Sequence, residues 1–582
     1  MEPELSPISH RPSLVAPATM KTYTNPLYPY RRSPDQDAGP ARHPVVVVGA
    51  GPIGLAAAID LAQQGVPVVV LDEDETVSVG SRAICYAKRA LEILDRLGVG
   101  QRVVDKGVGW NVGRVFFRDA EAYRFDLLPE SGHRRPAFVT LQQYWLEEFL
   151  VDRCSELPGI DLRWKSRVVR VTPHADRVQL VVETPEGPYA LHADWLLACD
   201  GARSPVRRTL GLDAEGQVFR DRFLIADIHM ASGFPAERWF WFDPPFHPGQ
   251  SVLLHRQADD VWRIDFQLGW DADPEEEKKP ERILPRLRAM LGPEAEFEIE
   301  WASVYTFQCR RMQSFRHGRV LFAGDAAHVV SPFGARGANS GFQDTDNLAW
   351  KLALVLAGRA PERLLDSYDA ERTIAADDNL LNSTRATDFI TPKSRVSRTF
   401  RDAVLALARQ HPFARRLVNS GRLSTPAVLA DSPLNTPDAD ADFARGPGAM
   451  IPGAPAADAP VKGPAQGAGG DWLLDHLRDG FVLLAFGNAL GARDAVSLAD
   501  APVPCRVLQV GGTAVPGTLR IDDPAGLAAR RYDARDGTVY LLRPDQHVCA
   551  RWRAFDLAQV RDAIARATCT DQPRTCDGES RL

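Results

Sequence analysis

Four consecutive valines, Val45-Val46-Val47-Val48, run directly into Gly49-Ala50-Gly51-Pro52-Ile53-Gly54 and then into an alanine- and leucine-rich stretch closed by Gly65. That junction restricts the fold more than any other feature of the chain. An unbroken β-branched run suits a strand buried on both faces, and the stretch after the glycines reads as a helix. A second apolar run, Val68–Leu71, ends in Asp72. Strand, glycine turn, helix and strand make a βαβ unit. The three glycines of the G-x-G-x-x-G pattern then serve different steric ends. They allow a tight turn, close approach of backbone to a pyrophosphate, and close packing of helix on strand. The helix start offers unpaired amides and the positive end of its dipole to phosphate. Asp72 is placed to accept from both hydroxyls of an unphosphorylated ribose. Gly49, Gly51, Pro52, Ile53, Gly54 and Asp72 are therefore candidate dinucleotide-binding residues, for FAD or NAD.

Two further signals lie downstream. Leu196-Leu197-Ala198-Cys199-Asp200-Gly201 is an apolar strand ending in Asp-Gly, followed by Ser204-Pro205 and basic residues at a helix start. Alone, it reads as a strand-end turn with a solvated basic face. Gly324-Asp325-Ala326-Ala327-His328 follows a buried strand at 319–323 and leads into Pro332, Gly334, Gly337, Ala338, Asn339 and Gly341. An aspartate at a strand end can accept from a chain of sugar-like hydroxyls, and the glycines keep the loop thin enough for a flat ring to lie on it. A helix predicted from 339 to about 357 aims its dipole at that loop. His328 by itself reads as a packed strand-end histidine rather than a proton donor.

The rest of the chain sets bounds. With 69 basic and 76 acidic residues in 582, the net charge is −7, no electrostatic footprint for nucleic acid or anionic lipid. Apolar residues at 45% and charged residues at 25% exclude a disordered or collagen-like bulk. Eight cysteines without a C-x-x-C pair offer neither a zinc site nor a disulfide framework, so no metal is expected. Free thiols, a start without an apolar h-region and no apolar run near the ~20 residues of a membrane span predict a soluble, cytoplasmic protein.

The organisation read from the pattern is a flexible leader at 1–43, then a nucleotide-binding part at 44–215 with inserted strands. An aromatic-rich sheet follows at 216–315, and the binding domain resumes with helices at 316–430. Residues 431–470 form a Pro/Gly/Ala/Asp-rich linker or wrapping segment, and 471–582 a separate small domain. Further helices are predicted at 83–97, 142–154 and 556–567.

Together, GAGPIG, CDGARS and GDAAH, with the NLAWKL stretch that follows, resemble the single-component FAD-dependent aromatic hydroxylases over residues 44–390. The C-terminal part resembles the thioredoxin-like appendage of the phenol hydroxylase branch, without its C-x-x-C. Within the family the chain is most similar to 3-(3-hydroxyphenyl)propionate-type hydroxylases. The implied fold is α/β: a Rossmann-like FAD-binding domain interleaved with a mixed β-sheet substrate domain, plus a C-terminal thioredoxin-like domain.

The resemblance implies that Gly49, Gly51, Gly54 and Asp72 hold the ADP half of FAD, and that Arg82 and Gln143 contact the flavin. Gly324 and Asp325 would form the ribityl-binding turn, and the amides of Gly337, Ala338 and Asn339 would face the pyrimidine edge. Pro332 would lie beside the ring where substrate approaches, and Asp200-Gly201 would touch both FAD and NAD(P)H. The implied chemistry is reduction of FAD by NADH or NADPH, addition of dioxygen, and attack of a flavin hydroperoxide on a small phenol-like ring in aromatic catabolism. A homodimer is a family expectation.

No catalytic base is assigned: His255 and Tyr305, on the substrate-side sheet, read as structural. Two other readings stand beside this one, a monooxygenase of a polyketide-like multi-ring substrate and a non-catalytic flavin-binding protein. Trp239-Phe240-Trp241-Phe242 faintly resembles a flavin-dependent halogenase motif, but that family's lysine is not found in its usual context. The aromatic run reads equally as pocket lining or as sheet core.

Overall fold

The structure, a computed structural model, describes residues 22–37, 39–418, 423–463 and 470–571. The valine run is the centre of an eight-stranded sheet. Ala41–Val48 pairs in parallel with Val68–Leu71 on one side and Gly187–Ala198 on the other; Ile160–Arg163 and Val320–Phe322 extend the parallel order outward. Val45, Val46 and Val47 are fully buried, as a strand covered on both faces requires. Helices Pro52–Gln63, Gln143–Ser155 and Gly337–Leu356 contribute their apolar residues to the same core. Gly187–Ala198 changes partner midway. Its first half pairs antiparallel with Val178–Thr184, and its last residues pair in parallel with Val320–Phe322.

A second eight-stranded sheet runs, in spatial order, His328–Val329, Glu298–Arg311, Glu215–His229, Val261–Leu268, Ser251–Arg256, Arg238–Phe242, Val112–Phe117 and Ala120–Asp126. It therefore recruits strands from both sides of the expected 216–315 range. The register divides the aromatic run between two faces. Trp239 and Trp241 lie on the outer face with Leu254, Ile264 and Phe266, beneath Ile283 and Leu287 of helix Pro280–Leu291. Phe240 and Phe242 lie on the inner face with Phe223, Leu253 and Phe333. Half of the run is thus sheet core, facing away from the first domain's loops.

Two expectations differ from what is observed. The helix predicted from 83 begins only at Lys88, because Cys85–Ala87 is a strand paired with Phe138–Thr140. The reason is tertiary: Asn339 accepts from Ala87 N and donates to Cys85 O, both at 2.8 Å, and so holds this backbone extended. A flexible leader is expected over residues 1–43, but from Thr22 the chain is packed. Tyr23 stacks on Tyr144 at 4.1 Å and donates to Glu148, and Tyr28 stacks on Trp164 at 4.7 Å. Residues 1–21 lie outside the described residues.

The C-terminal sheet runs Thr518–Ile521, Cys505–Val510, Phe481–Phe486, Val539–Leu542, Val548–Trp552, the first three parallel and the last two antiparallel. Phe481, Leu483 and Ala485 face Trp350 and Leu364 of the first unit, together with helix Leu557–Ala567. Val482, Leu484 and Phe486 are covered by Phe443, Met450, Ala456 and Val461. The described part of the segment expected as a linker or wrapping stretch, 431–463, lies against this sheet, and Asp438 fixes it by pairing with Arg551 at 2.7 Å. Among the described residues no helix is long and apolar enough to cross a membrane.

Candidate functional site

Two motifs far apart in sequence pack on the first glycine turn, one at Ile53 and one at Gly49. A Cβ on Gly341 would lie 2.6 Å from Ile53 Cδ1, and one on Gly324 3.1 Å from its Cγ1. Gly49, at φ +104°, leaves no room for a methyl, which would fall 2.6 Å from Cys199 O. A Cβ on Gly54 would fall 1.9 Å from Gly49 O, whereas one on Gly51 would meet nothing within 4 Å. This is the steric division the motif predicts: two glycines compressed by packing, and one whose backbone stays open to an approaching group. Arg207 joins the other two turns, donating from Nη1 to Ala326 O at 2.6 Å and from Nη2 to Ala202 O at 2.7 Å.

The acids are disposed along this seam. Asp72 accepts from Ala50 N at 2.5 Å and Asp74 N at 2.9 Å, closing the glycine turn while keeping lone pairs in reserve. Asp200 accepts from Val206 N through Oδ2, and its buried Oδ1 has no partner among the described residues. Asp325 is open to solvent yet ringed by protein, the condition of a side chain lining a cleft. Burial raises all three carboxyls; for Asp325 the His328 ring and the Arg82 charge pull the other way.

The side chain of Arg82 makes no hydrogen bond among the described residues, and its charge reaches both Asp325 and Tyr305. Tyr305, on the inner face of the second sheet, has its phenol raised by burial, with the Arg82 charge opposing. Gln143 stands behind Arg82. It accepts from Ala83 N at 3.0 Å and donates to Ser78 Oγ at 3.1 Å and Glu147 Oε1 at 2.8 Å, so it holds the loop that presents Arg82.

Helix Gly337–Leu356 starts against Asp325: a Cβ on Gly337 would sit 3.8 Å from Asp325 Oδ1. The amides of Gly337, Ala338 and Asn339 precede any intrahelical acceptor, and the dipole end there favours negative charge. Pro332 is exposed, and Phe333 beneath it is buried against Phe223 and Phe307. His328 is a packed histidine, as expected. Its Nε2 lies 2.6 Å from Asp344, which also accepts from Arg372 Nε at 2.7 Å and Gly324 N at 3.0 Å. The His328 ring, the Arg372 charge and the Gly324 amide hold the Asp344 carboxyl below its usual range despite burial.

The inner face of the second sheet closes the cleft, and here the sequence reading missed residues. Arg263 pairs with Asp227 at 2.7 and 2.8 Å and donates to the carbonyls of Ser81 and Arg82, fixing the Arg82 loop from the substrate side. Arg238 donates to Phe333 O at 3.2 Å, and its buried Nε is unpartnered among the described residues. His255 is buried with Nδ1 3.9 Å from Cys85 Sγ; burial and the charges of Arg238 and Arg263 hold it neutral, well below its ordinary range. The signal was the i, i+2, i+4 series Arg263, Asp265, Gln267, which alternation puts on one face without saying what covers it. Among the described residues no group of three His, Cys, Asp or Glu is placed to hold a metal ion.

An open glycine at a helix start, an acid closing the glycine turn, a solvent-open acid and a second helix start beside it form a donor set of the kind a dinucleotide such as FAD requires. Residues 42–383 match the family described as FAD binding domain. The chain is 29% identical over 382 residues, 64% of its length and 66% of the relative's, to a 3-(3-hydroxy-phenyl)propionate/3-hydroxycinnamic acid hydroxylase of Mycolicibacterium smegmatis. It is 30% identical over 535 residues, 87% of its length and 90% of the relative's, to 6-methylpretetramide 4-monooxygenase of Streptomyces rimosus. Its fold is similar, with a TM-score of 0.76 and 22% identity over 91% of this chain and 100% of the other, to the flavin-dependent monooxygenase PieE, solved with FAD and substrate. Cradle, cleft and sequence agree, and the chain belongs to the FAD-binding-domain family of flavin-dependent monooxygenases.

Proposed function

We propose that the protein is a FAD-dependent, NAD(P)H-consuming monooxygenase that hydroxylates a phenolic or otherwise activated aromatic ring with dioxygen. One observation carries the reading: the charge of Arg82 reaches Asp325, against which helix Gly337–Leu356 starts, and also Tyr305 on the inner face of the second sheet. When bound, FAD supplies the redox chemistry that activates dioxygen. Around it, Gly49, Gly51, Pro52, Ile53, Gly54 and Asp72 would hold the ADP half, and Gly324 and Asp325 the ribityl chain. The amides of Gly337, Ala338 and Asn339 would stabilise negative charge at the ring's pyrimidine edge.

Arg82, held by Gln143 and Arg263, would orient the ring, and the Asp200-Gly201 turn would meet the nicotinamide co-substrate. Pro332 with the apolar Phe240, Leu253 and Phe333 would keep water from the reacting atoms.

The C-terminal unit is thioredoxin-like in this reading, supported by three parallel strands, two antiparallel ones and a terminal helix. Its Cys505 and Cys549 are free and buried, which gives no redox pair. A cytoplasmic location accords with seven free cysteines among the described residues. Homodimerisation rests on the family expectation; exposed Val396, Phe400, Phe413 and Leu417 are the apolar residues such a contact would cover.

A multi-ring, polyketide-like substrate is the second reading. It is favoured by the match to 6-methylpretetramide 4-monooxygenase, which extends over 87% of this chain where the hydroxyphenylpropionate hydroxylase match covers 64%. Anaerobic stopped-flow reduction of the flavin by NADH and by NADPH, with phenolic acids, simple phenols and multi-ring phenols added in turn, tests both. Acceleration by one compound names the co-substrate and the ring class together. Fast reduction with no aromatic present would replace the hydroxylase reading with an oxidase or reductase.

A further inference from the structure

On the inner face of the second sheet, the register sets three rows side by side. Arg238, His255, Arg263, Asp227 and Trp301 form one row; Phe240, Leu253, Asp265, Ile225 and Ser303 form the next; Phe242, Ser251, Gln267, Phe223 and Tyr305 form the third. Asp265 is at the centre of this array. Every other charged side chain of the face has a bonded partner: Arg263 holds Asp227, and Arg238 holds Phe333 O. The carboxylate of Asp265 accepts from nothing among the described residues, and its Oδ1 is buried. A carboxylate with a buried, unpartnered oxygen is costly, and such groups are kept where they act on something else.

We propose that Asp265 is the proton acceptor for the ring hydroxyl of the substrate, acting from the inner face of the sheet, in the row next to that of Arg238 and Arg263. The proposal rests on the hydroxylase reading. In the step, the substrate O–H bond breaks and its proton bonds to a carboxylate oxygen of Asp265. The electron pair stays on the ring oxygen, which raises electron density at the ring carbons that are to be attacked. No net charge is created in the cleft. One negative charge moves from carboxylate to phenolate, both within reach of the same two guanidinium groups.

That balance distinguishes Asp265 from His255, the other base on this face. Protonating His255 would place a third positive charge beside Arg238 and Arg263, and burial together with those two charges already holds it neutral. The remaining groups facing Asp265 are no better. Asp227 is tied to Arg263, the Cys85 thiol is raised by burial, and the Tyr305 phenol is raised as well. Burial, with Arg263 and Arg238 opposing it and Asp227 adding to it, pushes the Asp265 carboxyl up to about 6. A base poised there is largely ionised at neutral pH yet basic enough to take a proton.

The test uses FAD-loaded full-length protein and 4-nitrophenol, whose phenol ionises near neutrality and whose phenolate is yellow. Binding is followed by perturbation of the oxidised flavin spectrum, and ionisation by the phenolate band, from pH 5 to 8. In wild-type enzyme the bound phenol should ionise at least tenfold more readily than free 4-nitrophenol. Asp265→Asn should bind it and lose that advantage, and Asp265→Glu should restore part of it. Wild-type enzyme that leaves 4-nitrophenol un-ionised overturns the proposal whatever the variants do, as does an Asn variant that ionises it like wild type. Either result leaves the hydroxylase reading standing; failure of wild-type protein to take up FAD would remove that reading and this one together.

Discussion

A methyl group on Gly54 would lie 1.9 Å from Gly49 O, a backbone atom that cannot turn aside, whereas one on Gly341 would first meet the flexible end of Ile53 at 2.6 Å. Gly54→Ala is therefore expected to abolish FAD loading, while Gly341→Ala weakens it only in part; bound-flavin absorbance after gel filtration reads both. Asp325 acts by a different force. Hydrogen bonds from neutral hydroxyls to a charged acceptor contribute ~1.5–3 kcal/mol, so Asp325→Ala should weaken FAD binding roughly ten- to hundredfold. Flavin titration of the apoprotein checks this, and a fully loaded, normally active variant would remove Asp325 from the site. The glycine and acid positions were legible in the sequence because each answers to its immediate neighbours. Gln143 was named only by resemblance, as a flavin contact; its bonds to Ser78 and Ala83, which hold the Arg82 loop, were not legible, because only the folded loop brings those partners to it.

At the scale of elements, the start of helix Gly337–Leu356 is held by two polar clamps. Asn339 fixes strand Cys85–Ala87, and Asp344 collects His328, Arg372 and Gly324 N. The second clamp has a pH signature. The Asp344 carboxyl lies below its usual range when folded, so near and below pH ~4 the unfolded chain binds this proton more readily. Its stabilisation is complete above that value and is lost as pH falls through the folded one. Asp72, Asp200 and Asp325, raised by burial, act in the opposite sense, so the informative quantity is a difference. Urea unfolding of wild type and Asp344→Asn should show a gap that is constant at neutral pH and narrows below pH ~4. A gap that does not depend on pH would mean the ionised form of Asp344 is not what stabilises the clamp. The helix itself was legible from its periodicity, but neither clamp was, because each joins residues far apart in the chain.

At the scale of the molecule, the C-terminal unit is welded to the flavin-binding unit by buried charge. Arg543 pairs with Glu371 and Asp545, both at 2.5 Å, and Lys351 pairs with Glu371 at 2.7 Å, all four side chains fully buried. Arg89 adds a donor to Asp545 O at 2.6 Å. Removing one partner of such a cluster leaves uncompensated charge in a medium that cannot solvate it, at ~3–5 kcal/mol. Arg543→Met should therefore lower the unfolding temperature by several degrees and split a single calorimetric transition into two. A variant that still unfolds in one transition at the wild-type temperature would show that the apolar contact of Trp350 with Phe481, not the charges, joins the units.

By itself the sequence determined the nucleotide cradle: a strand, a turn that only glycine can make, a helix and an acid, all adjacent in the chain and governed by local sterics. It also located the Asp200 and Asp325 turns, each of which ends a strand visible as an apolar run. Only the tertiary structure decided that Ile53 and Gly49 bring the other two turns onto the first, that residues 22–37 pack, and that 431–463 covers one face of the C-terminal sheet. It alone revealed the substrate side of the cleft. Alternation along Val261–Leu268 says that Arg263, Asp265 and Gln267 share a face but not whether water or protein covers it. That depends on the loops carrying Arg82 and Phe333 folding across from the first domain, a long-range event that no local pattern encodes.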